Sequence, residues 1–263
     1  ILSTGSPLLP ENFDYVYRDW KEDVQLASIS GGTDICGCFM GGVPTKSVYQ
    51  GELQGAQLGL DLDILDDDGQ SVVNQPGEFV CRNAHMTMPT GFWGDKSGEK
   101  YHSAYFDKYD NLWAHGDFVE KTDNGGYIIH GRSDATLNPG GVRIGTAEIY
   151  RQVETIDEIE EAIAVGQDWQ GDQRVILFVR MKDGITLDDD LIKLVKTRIR
   201  KGATPRHTPA KVIAVKDIPR TRSGKISEIA VRDVIHGRKI KNTTALANVE
   251  CLEDYNNLPE LQD

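Results

Sequence analysis

The sequence pattern changes near residue 133, and this change limits the fold more than any other feature of the chain. Before it, glycine-rich turns separate short stretches of alternating apolar and polar residues, such as residues 60–64, and this alternation indicates half-buried strands joined as hairpins. After it, helical and strand patterns follow one another. We therefore expect a mixed α+β fold in two parts, with a β-rich region over residues 1–133 and a small α+β domain over residues 134–263.

Turn signals and periodicity predict the individual elements of both parts. In the first part, turns are predicted at residues 66–69, 74–77 and 122–126, and strands at 78–82 and 127–130. In the second part, helices are predicted at 146–153, 188–200 and 227–235, and strands at 159–166, 175–181 and 211–215. The polar tail beyond Lys239 predicts irregular structure.

The composition is that of a folded, acidic chain. Its 39% hydrophobic and 27% charged residues are typical of a globular protein. The 41 acidic and 29 basic side chains give a net charge of −12, which disfavours binding to nucleic acid and to anionic membranes. No apolar stretch approaches the ~20 residues that span a bilayer. Because the chain begins at Ile1 within sequence that already looks folded, we expect a fragment or a processed chain.

The four cysteines favour a reducing compartment. Cys36, Cys38, Cys81 and Cys251 form no CxxC pair and suggest no disulfide framework. Cys36 and Cys38 alternate along an apolar run, which predicts that they share one face of a strand. Buried reduced thiols are therefore favoured over a metal site, and a cytoplasmic location is the expectation that follows.

Residues 219–228, Pro-Arg-Thr-Arg-Ser-Gly-Lys-Ile-Ser-Glu, concentrate cations in this acidic chain. A phosphate-binding P-loop would need G-x-x-x-x-G-K-[ST]. Here Pro219 stands at the first glycine position and Ile226 follows Lys225. The P-loop hypothesis fails at both ends, and on its own the stretch is typical of a solvated turn between a strand and a helix.

A second polar turn lies within residues 28–35, where Gly31, Gly32, Thr33 and Asp34 follow a β-like run. Paired glycines let a backbone approach a phosphate closely, a threonine hydroxyl can donate to it, and a neighbouring carboxylate can hold magnesium. Such turns are common, so this one alone is weak support for a phosphate site.

Two further segments carry charged side chains. Residues 112–117 end in Asp117 on a predicted turn. It suits a ribose-hydroxyl acceptor and, equally, a turn aspartate that bonds its own backbone. Residues 131–148 place Arg132 and Arg143 around a glycine-rich loop that opens onto a helix, where the pattern of the chain changes.

In this order and spacing, the four segments resemble the adenylate-forming superfamily of acyl-CoA synthetases, luciferases and peptide-synthetase adenylation domains. The run 131–148 and the turn 222–225, Arg-Ser-Gly-Lys, are specific to it. Within the superfamily, residues 28–35, 222–234 and 241–248 are most similar to CoA ligases that take acetoacetate, and the similarity spans essentially the whole chain. The resemblance implies an AMP-forming ligase that makes an acyl-adenylate from acid and ATP and then a CoA thioester.

The resemblance also implies a role for individual residues. Lys225 matches the lysine that bridges the acid carboxylate and the phosphate, where a point charge on a flexible stem relieves the repulsion of two anions. Asp117 would hold the ribose hydroxyls, with Arg132 beside it and Arg143 turned to the phosphate. Thr33 would contact the AMP phosphate.

Further matches concern the metal, the adenine, the hinge and CoA. Asp34 stands where most relatives carry a magnesium-binding glutamate. Asp134 matches the hinge residue whose backbone torsions absorb the domain rotation. Gly141 matches the glycine that the pantetheine thiol passes. Arg200 would contact a CoA phosphate, against the favoured alternative of a solvated helix end. The residues that line the adenine in relatives correspond to Gly5, Ser6 and Pro7.

The chain departs from the superfamily pattern in two places and lacks a large part of it. Ser30 stands where many relatives stack an aromatic ring on adenine. Gly31 replaces the tryptophan of acetate-specific relatives, which leaves room for a longer acid such as acetoacetate. The N-terminal part, with its loop for the β- and γ-phosphates, is absent. Residues 1–133 then correspond to the end of an α/β subdomain and a barrel-like subdomain of the large domain, and residues 134–263 to the small mobile domain with its hinge at Asp134.

The implied ligands are ATP or AMP, magnesium, CoA and acetoacetate. Enzymes that acylate or deacylate Lys225 are further implied partners, because acylation would remove the charge on which adenylation depends. Two alternatives stay open: a CoA ligase for another short acid, and a non-catalytic nucleotide-binding or interaction module.

Overall fold

The computed structural model describes residues 1–240 and 243–263 and divides into two compact units, Ile1–Ser133 and Asp134–Asp263. Both units mix helices with sheets, so the predicted α+β class is confirmed. Of the tail segment 241–248, residues 241 and 242 lie outside the described residues. No helix in the described part of the chain is long and apolar enough to cross a membrane.

The N-terminal unit begins with a short parallel strand pair. Strand β1 (Leu2–Ser3) pairs with β2 (Ala27–Ser28), and between them the chain forms α1 (Pro10–Tyr15) and a π-helical turn, Val16–Trp20. Because parallel strands end at the same edge, the residues after β1 and after β2 are brought together there. The Thr4 hydroxyl donates to the Ile29 carbonyl across this edge, at 3.2 Å.

Two antiparallel sheets complete the N-terminal unit. The first contains β3 (Ser30–Gly32), β4 (Gly37–Gly41) and β5 (Gly55–Ala56) in that order. The second contains β6 (Leu62–Leu65), β7 (Pro76–Cys81), β8 (Trp113–Lys121) and β9 (Tyr127–Arg132), also in chain order. Helix α2 (Glu99–Tyr105) precedes β8. An isolated bridge between Leu53 and Tyr127 joins the segment before β5 to β9.

One apolar cluster holds these two sheets together. Phe39 of β4 and Phe79 of β7 meet edge to face, with ring centroids 5.1 Å apart, and Trp113 of β8 packs beside them. All three side chains are buried, and burying an aromatic ring of this size stabilises the fold by about 2–3 kcal/mol. The predicted strands at residues 60–64, 78–82 and 127–130 are confirmed, with ends that differ by a few residues.

The C-terminal unit is a three-stranded sheet with helices on both faces. Strand β10 (Ile159–Trp169) pairs antiparallel with β11 (Asp172–Met181), which pairs parallel with β12 (Lys211–Ala214). The helices are α3 (Thr146–Val153), α4 (Asp189–Gly202) and α5 (Glu228–Ile235). All six predicted elements of this unit are confirmed to within a few residues.

Strand β11 shows why its sequence is a continuous apolar run. Val175, Leu177 and Val179 pack into the cluster that contains α3 and α4, whereas Ile176 and Phe178 pack into the cluster that contains α5. Successive side chains of a strand point to opposite faces, and here both faces are covered. A strand buried on both sides needs apolar residues at every position.

The predicted irregular tail is wrong. Short 3-10 helices form at Val249–Tyr255 and Pro259–Leu261. Tyr255 is fully buried against Phe178, and its hydroxyl donates to the Asp217 carbonyl at 2.8 Å. The tail therefore completes the core beside α5, because Leu246, Leu252, Tyr255 and Leu261 are buried in the cluster that contains α5.

The prediction for Cys36 and Cys38 is also wrong. Cys36 lies in the turn after β3, exposed and with φ of 48°, whereas Cys38 lies in β4. The left-handed backbone at Cys36 ends the alternation that the sequence suggested. Among the four free cysteines, the buried ones are Cys81 and Cys251, and burial raises the pKa of both thiols.

Candidate active site

The Gly31–Asp34 segment closes the β3–β4 hairpin. The Cys36 N–H donates to the Thr33 carbonyl at 3.0 Å, which forms the turn, and Thr33 and Asp34 are exposed at its tip. A Cβ on Gly31 would lie 2.0 Å from the Gly37 carbonyl oxygen. The strand pair can approach this closely only because residue 31 has no side chain.

Asp117 lies within β8, so the prediction that it sits on a turn is wrong. It stands directly opposite Arg132 of β9 in the antiparallel register, and its side chain is nearly buried. Nη1 of Arg132 lies 3.3 Å from Oδ1 of Asp117 and donates to the His115 carbonyl at 3.1 Å. The two strands thus hold a carboxylate and a guanidinium in a fixed cross-strand pair.

His115 belongs to this group, although the sequence analysis did not single it out. The Trp113 indole N–H donates to Nδ1 of His115 at 3.3 Å, and Nε2 lies 3.8 Å from Oδ2 of Asp117. The ring packs edge-on against Phe39, and a Cβ on Gly32 would lie 2.8 Å from it. The available signal was the spacing of residues 113, 115 and 117, which places them on one face of a strand.

Tyr105 connects Asp34 to the same group. Its hydroxyl donates to Oδ2 of Asp34, and its ring stacks on Trp113 with centroids 3.6 Å apart. Burial, reinforced by the negative charge of Asp34, raises the pKa of Tyr105 well above its usual value. The phenol therefore stays protonated and remains a donor to Asp34. Sequence reasoning missed Tyr105, because only the packing of α2 on β8 brings it to the turn.

The predicted adenine segment, Gly5 to Pro7, follows strand β1. Gly5 and Ser6 are exposed just after β1, and Gly5 has φ of 100°. The parallel pairing of β1 with β2 places this segment at the edge from which β3 continues. Strand pairing thus brings the predicted adenine segment next to the start of β3, which leads to the predicted phosphate turn.

Lys225 is presented by a tight hairpin of the C-terminal unit. The Thr221 N–H donates to the Lys225 carbonyl at 2.8 Å, and the Lys225 N–H donates to the Thr221 hydroxyl at 3.1 Å. Gly224 has φ of 85°, which the turn requires and a glycine supplies without strain. An ion pair between Arg220 and Glu161 anchors the hairpin to β10. The Lys225 side chain is therefore exposed to solvent, while the backbone of the hairpin that carries it is fixed by hydrogen bonds.

The glycine loop, residues 137–145, precedes α3. Paired backbone hydrogen bonds between Leu137 and Ile144, at 2.8 and 2.9 Å, close its base. Gly140 and Gly141 both have positive φ, and Gly141 is exposed at the tip, where an added Cβ would meet nothing within 4 Å. Arg143 is half-buried on the returning arm.

The remaining candidates of this unit are Asp134 and Arg200. Asp134 is the first residue of the unit, and Nη1 of Arg232 donates to its carbonyl at 2.6 Å. Arg200 is exposed in the last turn of α4, where a cation interacts favourably with the helix dipole. That placement favours the solvated helix end over a ligand contact for Arg200.

Comparison with known proteins gives these two units a context. Residues 151–225 match the family described as AMP-binding enzyme C-terminal domain. The chain is 60% identical over 260 residues to an acetoacetyl-coenzyme A synthetase of Rhizobium meliloti, covering 99% of this chain and 40% of the relative. It is 46% identical to the acetoacetyl-CoA synthetase of Mus musculus, covering 100% of this chain and 39% of the relative.

A solved structure agrees with the sequence comparison. The acetoacetyl-CoA synthetase from Streptomyces lividans superposes with a TM-score of 0.91 at 40% identity, covering 100% of this chain and 41% of that chain. The resemblance inferred from the sequence motifs is therefore confirmed. The chain spans about two fifths of the length of the curated relatives that it matches.

Proposed function

We propose that the chain is part of an ATP-dependent, AMP-forming ligase, because it is similar in sequence and fold to the C-terminal two fifths of acetoacetyl-CoA synthetases. The parent enzyme would activate acetoacetate as an acyl-adenylate and transfer the acyl group to CoA, releasing AMP and pyrophosphate. A CoA ligase for another short acid is the second candidate, and a panel of acids in the exchange assay described below separates the two.

The observation that carries the proposal is the convergence of polar groups in the N-terminal unit. Asp117 and Arg132 face each other across β8 and β9. Beside this pair, His115 accepts a hydrogen bond from Trp113. The ring of Tyr105 stacks on Trp113, and its hydroxyl donates to Asp34. A carboxylate beside a guanidinium suits vicinal ribose hydroxyls, and the exposed Thr33 hydroxyl suits a phosphate oxygen. The group has the chemistry of an adenylate site.

Lys225 would supply the charge for the adenylation step. The acid carboxylate and the α-phosphate are both anionic, so their approach needs a cation that follows the charge as it moves to the leaving pyrophosphate. An exposed lysine on an ordered hairpin fits that requirement, since its base is fixed and its stem is mobile. Arg143 would add a second cation facing the phosphate.

Magnesium fits this chain only in company with the substrate. Among the described residues, no group of three or more His, Cys, Asp or Glu side chains could hold a metal. Asp34 offers one exposed carboxylate, one of whose oxygens accepts from Tyr105. Mg²⁺ commonly takes one or two carboxylates together with phosphates and water, so Asp34 would hold the ion beside ATP and position its charge on the phosphates.

The second step would use the glycine loop. Gly141 has φ of 76° and no neighbour within reach of a Cβ in this chain, so its exposed backbone can border a channel for the pantetheine arm. Rotation about Asp134 would exchange Lys225 for this loop at the active site. Arg200 is retained as a weaker candidate for the CoA phosphate, since its exposed helix-end position has an ordinary explanation.

The same proposal covers partners and location. Acylation of Lys225 would neutralise the cation needed for adenylation, and its exposed position makes it accessible to acylating and deacylating enzymes. The reduced cysteines suit a cytoplasmic enzyme. A non-catalytic nucleotide-binding module is the alternative from another class. Calorimetry with AMP tests it, because absence of AMP binding by the full-length protein would favour an interaction module.

The decisive experiment separates the two half-reactions in the full-length protein. We expect Lys225→Ala to lower acetoacetate-dependent ATP–pyrophosphate exchange by about 10²-fold or more, while sparing CoA attack on preformed acyl-adenylate. Arg222→Ala is the matched control, because it removes an exposed cation from the same hairpin. The isolated 263-residue chain should show no exchange. Equal loss of both half-reactions in Lys225→Ala, or ordinary exchange by the isolated chain, would contradict the proposal.

A further inference from the structure

We propose that Tyr150 and Glu228 form a positioning pair, which fixes the Lys225 hairpin relative to the glycine loop inside the C-terminal unit. The inference rests on the proposed function, in which Lys225 serves adenylation and the glycine loop serves thioester formation. It concerns two residues to which the resemblance assigned no role.

The pair ties together the two helices that follow the functional loops. Helix α5 begins at Glu228, three residues after Lys225, and α3 begins at Thr146, three residues after Arg143. The Tyr150 hydroxyl donates to Oε1 of Glu228 at 3.0 Å, and the Thr146 hydroxyl lies 3.4 Å from the same oxygen. One carboxylate oxygen therefore holds the start of α5 against α3.

The phenol of Tyr150 is fully engaged. Besides donating to Glu228, it accepts a hydrogen bond from the Ala164 N–H of β10 at 3.1 Å. Burial, and next the negative charge of Glu228, raise the pKa of Tyr150 well above its usual value. The hydroxyl thus stays protonated, and its donor and acceptor functions lock α5, α3 and β10 at one point.

The buried carboxylate of Glu228 is stabilised by hydrogen bonds from Tyr150 and Thr146. Burial, with a further contribution from the charge of Asp134, raises the pKa of Glu228, while hydrogen bonds from Tyr150 and Thr146 oppose that rise. A glutamate in the first turn of a helix usually faces solvent and interacts with the helix dipole. Here its side chain turns inward to α3 instead, and the hydrogen bonds from Tyr150 and Thr146 offset the cost of burying the carboxylate.

The same helix also contacts the predicted hinge. Arg232, one turn beyond Glu228 in α5, donates to the Asp134 carbonyl at 2.6 Å. Helix α5 therefore links three positions of the C-terminal unit: Lys225 before its start, Tyr150 at its first turn and Asp134 at its second. Displacement of its first turn would move Lys225 while leaving the closed base of the glycine loop intact.

The test is a set of variants of the full-length enzyme measured in both half-reactions. Tyr150→Phe removes the hydroxyl and keeps the ring. We expect it to lower kcat of ATP–pyrophosphate exchange about tenfold to a hundredfold, with KM for ATP changed less than about twofold, and to spare CoA attack on preformed adenylate. Glu228→Ala should behave alike, whereas Glu228→Gln, which keeps an acceptor oxygen, should retain most of the exchange activity.

Two controls separate positioning from general destabilisation. Val195→Ala removes packing from the apolar cluster against which Tyr150 packs but removes neither hydrogen-bonding group of the pair, and it should lower the thermal midpoint while leaving the ratio of the half-reactions unchanged. In the Lys225→Ala background, Tyr150→Phe should cause no further loss of residual exchange. Additive losses in that background, or equal loss of both half-reactions, would overturn the inference. Full exchange by Lys225→Ala alone would instead refute the proposed function.

Discussion

Gly116 sets the position of Arg132, and its replacement gives a quantitative test of the Asp117 site. Gly116 has φ of 81°, a conformation that costs an L-residue about 1–2 kcal/mol. A Cβ there would also lie 2.6 Å from Nη2 of Arg132, so the guanidinium must move. That movement breaks its contacts with Asp117 and with the His115 carbonyl, at 3.3 and 3.1 Å.

The cost of breaking the Arg132–Asp117 ion pair follows from the exposure of the Arg132 side chain. The Arg132 side chain is 46% exposed, so loss of its ion pair with Asp117 should cost no more than about 1 kcal/mol of stability. The total for Gly116→Ala is then about 1–3 kcal/mol. The substitution should also weaken AMP binding, because Asp117 loses its ion pair with Arg132 at the position proposed for the ribose. We expect the affinity of the full-length protein for AMP to fall about tenfold.

A second glycine of the same unit supplies the control. Gly59 has φ of 83°, and an added Cβ would meet nothing within 4 Å, so Gly59→Ala carries the backbone strain alone. Urea unfolding should give about the same strain cost for both variants, with the excess for Gly116→Ala not above about 1 kcal/mol. AMP titration should be affected by Gly116→Ala only. Equal AMP affinity in the two variants would refute the assignment of Arg132 and Asp117 to the nucleotide site.

Two further predictions concern the C-terminal unit. The pKa of Glu228 is raised in the folded state, so the free energy of unfolding should decline as the pH increases from about 4.3, the unfolded pKa, through the folded pKa. Glu228→Gln should flatten this pH dependence and stabilise the protein at pH 7. Glu253→Gln, which changes an exposed glutamate, should do neither. The guanidinium carbon of Arg174 lies 3.7 Å from the centroid of the Trp169 ring, and Arg174 donates to the Leu261 carbonyl at 2.9 Å. Arg174→Ala should therefore lower stability by about 1–3 kcal/mol and speed proteolysis of the tail. An unchanged cleavage rate would show that Arg174 does not hold the tail in place.

The elements that the sequence predicts well are those whose pattern is set by their own two faces. Helix α3 has the expected bounds, because its apolar side is a simple helical stripe. Strand β11 is recognisable because residues 175–179 are apolar throughout, as burial on both faces demands. In both cases the local pattern and the tertiary environment require the same residues.

The parts that the sequence does not predict depend on contacts between distant segments. Tyr105 meets Asp34 only because α2 packs its last turn on Trp113, across 71 residues of chain. Tyr150 and Glu228 are separated by 78 residues, and neither looks unusual on its own helix. The tail is polar in composition, yet its sparse apolar residues fill the core beside Phe178. No local pattern specifies such pairings.

Gly31 shows how the structure changes an argument made from residue size. From the sequence, glycine in place of tryptophan at this position suggests a longer acyl pocket, as if only the size of side chain 31 set the pocket length. In the structure, a Cβ at residue 31 would lie 2.0 Å from a backbone oxygen of β4, and main chain cannot give way as a flexible side chain can. A tryptophan here would therefore require a wider β3–β4 hairpin, which would also move Thr33 and Asp34. If the proposed function is right, acid selectivity and the placement of the proposed phosphate-binding turn would therefore be coupled through the spacing of one strand pair.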